Sequence, residues 1–139
     1  MKAGYSGIRL ILYSSERDEH LNRILASVPG FFAEDQVMPC ADSHGLASAL
    51  QEVLSGYGIV LMLLRSRREI NAMTPLRDRL RDHSVILILD NSDEDLTHEA
   101  LKLYPRYTSC LKTDYQDIFL VLGKMITKIE NTIRREENG

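Results

Sequence analysis

The stretch Gly58-Ile59-Val60-Leu61-Met62-Leu63-Leu64 decides the fold. Its apolar side chains follow one another without a polar break, so both faces of an extended chain would be greasy. A strand of that kind sits inside a sheet, with helices covering it on either side. Ser84-Val85-Ile86-Leu87-Ile88-Leu89 repeats the pattern, and Ile8-Arg9-Leu10-Ile11-Leu12-Tyr13 nearly does. Two weaker runs complete the set. Gln36-Val37-Met38-Pro39-Cys40-Ala41 contains a proline, which fits an edge strand, and Tyr107-Thr108-Ser109-Cys110-Leu111 is short.

The segments between these runs have helical spacing. Leu21, Ile24, Leu25 and Val28 follow a capping-box-like start at Ser15 and Asp18, and Pro29-Gly30 ends the element. Leu46, Leu50, Val53 and Leu54 follow a cap at Asp42 or Ser43. Ile70, Met73, Leu76 and Leu80 come after a basic loop, where Thr74 before Pro75 reads as a cap with proline at the first helical position. Leu96, Leu101 and Leu103 follow a cap at Ser92 or Asp93, and a last long helix begins near Tyr115. Strict alternation of strands and helices predicts an α/β fold with a parallel sheet. Right-handed crossovers place helices on both faces, and the simplest strand order is the flavodoxin-like 2-1-3-4-5. That order puts the three most apolar runs inside.

Composition limits the function. The chain has 139 residues, 44% hydrophobic and 27% charged, with a formal net charge of -3. This is the size of one domain, and we expect a single unit over 1–139, with 130–139 a charged helix end or the start of a linker. The mildly acidic balance gives no footprint for nucleic acid. No apolar run approaches the ~20 residues that span a bilayer, and the first residues lack the apolar stretch of a signal peptide. Cys40 and Cys110 lack metal-site spacing and read as reduced thiols of a cytoplasmic protein. His20, His44, His83 and His98 show no ligand spacing, so no metal or other cofactor is expected.

In open α/β sheets, ligands sit beyond the carboxyl ends of the central strands, here near 13–15, 63–65, 89–91 and 111–113. With Lys112 closing the fifth run and Gly56-Tyr57-Gly58-Ile59-Val60-Leu61 leading into the third, the chain resembles the CheY-like receiver domain of two-component response regulators. That resemblance covers nearly the whole chain. It implies an acidic pair after the first strand, an aspartate nucleophile ending the third, a hydroxyl ending the fourth and a lysine ending the fifth. The carboxylate would attack phosphorus, further carboxylates would hold a divalent cation, and the lysine would balance phosphoryl charge.

The residues present depart from that set. The acidic pair is replaced by Tyr13 and Ser14, or by Ser14 and Ser15. The nucleophile position holds Leu63, or Leu64 if the register slips, and no Asp or Glu lies between Gly56 and Arg68. The fourth strand ends in Leu89-Asp90. Lys112 matches, but Thr113 follows it where proline is usual, and Ser109 occupies the aromatic switch position. An alkyl side chain cannot accept a phosphoryl group. The expectation is a degenerate pocket of Tyr13, Ser14, Leu63, Leu89, Asp90 and Lys112, with no catalytic residue and no enzyme activity.

Other residues admit two readings. Lys112 is either an anion contact or a surface ion pair, with Asp90 the nearest partner in view. Arg65, Arg67 and Arg68 are either a contact for phosphate or carboxylate or a solvated loop. Ser14 and Ser15 read better as cap residues than as nucleophiles, since no G-x-S-x-G elbow surrounds them. In the last helix, Ile118, Leu122, Met125 and Ile129 should face the sheet, while Phe119, Ile126 and Ile133 repeat at heptad spacing. The second stripe is either a wide core face or a surface for a protein partner or a second copy. The resemblance adds a contact face of Lys102, Tyr104, Arg106, Tyr107, Phe119, Gly123 and Ile126.

The leading expectation is a pseudo-receiver acting through protein–protein contact. One alternative keeps phosphorylation through a displaced acceptor, Asp90 or Asp42. Another is a flavodoxin-like binder of a nucleotide or small molecule using the arginine loop, although no glycine-rich phosphate loop follows the first strand.

Overall fold

The computed structural model describes residues 7–90 and 94–138. Five parallel strands run β1 (Arg9–Ser14), β2 (Val37–Cys40), β3 (Gly58–Leu64), β4 (Ser84–Leu89) and β5 (Tyr107–Cys110). Their order across the sheet is 2-1-3-4-5, as the alternation predicts. Helices α1 (Glu19–Ser27) and α6 (Gln116–Asn138) cover one face. The other face carries α2 (Ser43–Glu52), α3 (Arg67–Met73), α4 (Arg77–Leu80) and α5 (Glu94–Ala100).

Alternation along each strand divides the core into two halves. Leu10, Leu12, Ile59, Leu61, Leu63, Ile86 and Ile88 point toward α1 and α6. Ile11, Tyr13, Val60, Met62, Leu64, Val85 and Leu87 point the other way. This is why β3 and β4 are apolar without interruption: each residue has a helix to meet. Gly56 takes φ +86, a left-handed turn that glycine enters without a Cβ penalty, and it delivers the chain into β3.

Several helix starts differ from the sequence reading. Asp18 alone caps α1, its Oδ1 accepting from the Leu21 N–H at 3.1 Å, whereas Ser15 has no part in the cap. Asp42 rather than Ser43 caps α2, accepting from Gly45 at 2.7 Å. The third crossover starts earlier than Thr74, at Ser66, whose hydroxyl accepts from the Glu69 N–H at 3.2 Å. Thr74 instead donates its hydroxyl to the Ile70 carbonyl, and Pro75 sits in a short 3-10 turn between α3 and α4. Arg67 and Arg68 therefore belong to the first turn of α3 and not to a loop. The caps expected at Ser92 or Asp93 lie outside the described residues.

Three leucines assigned to core stripes, Leu25, Leu54 and Leu101, are exposed because their helices end or tighten there. In α6 the buried residues are Ile118, Leu122, Ile129 and Ile133, with Met125 and Ile126 half-buried. Ile133 thus belongs to the core and not to a separate outer stripe. Cys40 and Cys110 are both free and half-buried.

Candidate functional site

The crevice to inspect lies where β1 and β3 end. Parallel register pairs Ser14 with Leu63, and Leu63 in turn with Ile88. Leu63 and Leu64 are both fully buried, on opposite faces of the sheet, and Leu89 is buried as well. Aliphatic side chains therefore close the strand ends from within.

Arg65, the next residue, fills the space above them. Only 12% of its side chain is exposed. One terminal nitrogen donates to Asp18 Oδ2 at 2.8 Å, the other to Ser14 Oγ at 3.3 Å, and Glu16 Oε2 lies 3.9 Å from Nε. Burial pulls the Asp18 carboxyl upward, but the Leu21 N–H and the Arg65 guanidinium outweigh it and leave its pKa below 3.8. Glu69 ties the two strand ends together. Its Oε1 accepts from the Arg65 backbone N–H at 2.8 Å, and its Oε2 accepts from the Tyr13 hydroxyl at 2.9 Å. Burial, reinforced by Glu69, pushes the Tyr13 phenol above its ordinary value and keeps it neutral.

Lys112 does not pair with Asp90 as the sequence reading supposed. Its ammonium lies 3.0 Å from Asp117 Oδ1 in the first turn of α6. Asp117 Oδ2 accepts from the hydroxyls of Tyr107 and Ser109, each at 2.8 Å. The lysine favoured by the family resemblance is thus held by an internal carboxylate. The Tyr115 hydroxyl accepts from the Lys112 backbone N–H at 3.0 Å and lies 2.8 Å from His20 Nδ1. Asp90 is half-buried, and its backbone N–H donates to the Leu64 carbonyl at 3.2 Å.

The Asp117 network should be visible in acid. Burial raises this carboxyl, but Lys112, Tyr107 and Ser109 together hold its pKa below 3.8. Its contacts therefore stabilise the fold fully above that value, and the gain is lost as the pH falls below it. Asp117→Asn is expected to cost about 1–2 kcal/mol at neutral pH and to flatten the acid limb of urea midpoints below about pH 4. An acid limb unchanged in the variant would remove Asp117 from this role.

The other expected site residues are dispersed. Arg67 reaches Asp95 of α5 at 2.5 Å, while Arg68 is exposed, so the three arginines form no common anion cradle. The expected contact face also divides. Lys102 pairs with Glu99 at 3.2 Å, and the Arg81 guanidinium lies 4.2 Å over the Tyr104 ring. Phe119 turns instead toward the 3-10 turn that follows α1 and stacks on Phe31 at 5.5 Å, with Gly123 beside the same ring. That corner opens into a groove of about 880 Å³ between α1 and α6, rimmed by the exposed Leu120. Arg106 and Tyr107 diverge too, because Arg106 borders a second cavity of about 340 Å³ at the opposite end of the sheet. The sequence reading missed Asp18, Glu69, Tyr115 and Asp117 as crevice residues. Their partners lie on other elements, and no local spacing announces them.

No family model matches the chain, and no curated protein does. Among solved structures, one similar chain is a protein described as pilus assembly-related from Burkholderia pseudomallei. It shares 13% identity at a TM-score of 0.63, with 88% of this chain and 92% of that chain covered. Another is a CheY-like response regulator receiver domain from Methanospirillum hungatei, at 13% identity and a TM-score of 0.52, covering 96% and 99%. Identities this low speak to architecture, and together with the observed strand order they establish that the chain has the flavodoxin-like fold of CheY-like receiver domains.

Proposed function

We propose that the protein is a pseudo-receiver: a signalling module that works by binding another protein, with no aspartyl phosphorylation and no catalytic step. One observation supports this reading above the rest. Buried leucine stands at the end of β3, and the space beyond it is taken by the Arg65 guanidinium bound to Asp18 and Ser14. Phosphoryl transfer to a carboxylate needs an oxygen nucleophile and room for a hard cation. Here leucine replaces the nucleophile at the end of β3, the nearby carboxylates of Asp18 and Glu69 are engaged by Arg65 and Tyr13, and the displaced candidate Asp42 is engaged as a helix cap. No helix among the described residues is long and apolar enough to cross a membrane, which is compatible with a cytoplasmic module.

The decisive test adds beryllofluoride and magnesium, then acetyl phosphate and magnesium, to the labelled protein. The expected outcome is no magnesium-dependent shift at Ser14, Arg65, Asp90 or Lys112, and no acid-labile phosphate. Shifts centred on Asp90 or Asp42 would return the domain to the phosphorylated class. Sedimentation across a concentration series then separates a foreign partner from a second copy docking through the corner where Phe31 meets Phe119 and Leu120 of α6.

A further inference from the structure

The cavity of about 340 Å³ lies under the amino-terminal edge of β3 and β4, at the opposite end of the sheet from the receiver crevice. Its volume falls in the range of small-molecule sites. One wall is the second half of α6, whose sequence gives it two chemically distinct rows. Val121, Met125, Ile129 and Ile133 recur every four residues and form an apolar floor continuous with the core. Lys124 and Lys128 recur at the same interval on the adjacent row, and Arg106, just before β5, lines the same cavity. None of these three cations makes an ion pair among the described residues. That sets them apart from Arg65, Lys102 and Lys112, which are all paired.

The carboxylates on the same rim are Asp82 and Glu136, so the balance is three cations against two anions, a surplus of one positive charge. His83 on the inner wall adds none. It is buried, its Nδ1 accepts from the Gly58 N–H at 3.1 Å, and desolvation keeps it neutral. We propose that this cavity binds a small carboxylic acid with an apolar body, the carboxylate against Lys124, Lys128 and Arg106 and the body along the α6 floor. One surplus charge suits a singly charged head better than a phosphate dianion. A long apolar floor has no use for acetate.

Titration of the labelled protein with hexanoate, acetate, hexanamide and inorganic phosphate tests this directly. Hexanoate should give saturable shifts at Tyr57, Ser84 and Val121. Acetate, hexanamide and phosphate should each bind about tenfold more weakly or worse, having lost the floor, the charge or the match in charge. Lys124→Glu with Lys128→Glu should weaken hexanoate by at least about tenfold, and both side chains are exposed, so the fold should survive. Equal binding of hexanamide would overturn the anionic head. Equal binding of phosphate would overturn the apolar body. Absence of any hexanoate shift in the unaltered protein would overturn the site.

Discussion

Gly58→Ala is expected to destabilise the protein by about 2–4 kcal/mol, because overpacking and a lost buried hydrogen bond fall on one atom pair. A Cβ at residue 58 would stand 2.7 Å from His83 Nδ1, the atom that accepts the Gly58 N–H. The imidazole is only 4% exposed, and a shift that made room for the Cβ would break its bond to the Gly58 N–H. For a domain of this size the loss corresponds to a fall in Tm of about 5–15 °C, readable by circular dichroism. His83→Ala alone leaves the Gly58 N–H buried without its acceptor. The double variant relieves the clash, so its cost should be less than the sum of the two singles. An unchanged Tm for Gly58→Ala would refute the contact.

The same histidine predicts a pH dependence. Burial outweighs the opposing pull of Asp82 and holds the His83 pKa below the ordinary 6.5. As pH falls below 6.5, the unfolded chain takes up a proton that the native state refuses, and stability declines. His83→Gln should flatten that decline.

Leu63→Asp carries the second large effect and is expected to leave the chain mostly unfolded. Removing a buried leucine costs about 2–5 kcal/mol, and a carboxyl group placed in its apolar site adds a further penalty of about 2 kcal/mol or more even when protonated. The total rivals the roughly 5–15 kcal/mol that holds a typical domain together. Leu63→Met, which nearly conserves volume, should cost less than about 1.5 kcal/mol. Urea melts of the two variants provide the comparison. An aspartate variant that melts like the parent would mean that the end of β3 is open to water. The phosphoacceptor position would then be empty by sequence alone, and the case for a non-phosphorylated module would weaken.

The fold was legible because burial imposes a pattern on neighbouring residues. Gly58–Leu64 and Ser84–Leu89 are apolar on both faces because helices meet both faces, and Pro39 marked β2 as an edge. Helix starts were less legible. Ser15, Asp18, Ser66 and Thr74 all have side chains able to cap, and only backbone geometry selects Asp18 and Ser66. The crevice was legible only in what it lacks. Leucine for aspartate can be read at one position, whereas the grip of Asp18 on Arg65 joins residues 47 apart in sequence. Lys112 was recognised, but its partner was misplaced, because Asp117 reaches it only once α6 folds back beside β5.

The guanidinium of Arg65 has a consequence for how such a domain is controlled. A counterion carried on the chain cannot be stripped away by a chelator, so Asp18 keeps a matching charge without a bound metal. With Asp18 30% exposed and Glu16 62%, salt screens these pairs in part, and acid that protonates Asp18 weakens them.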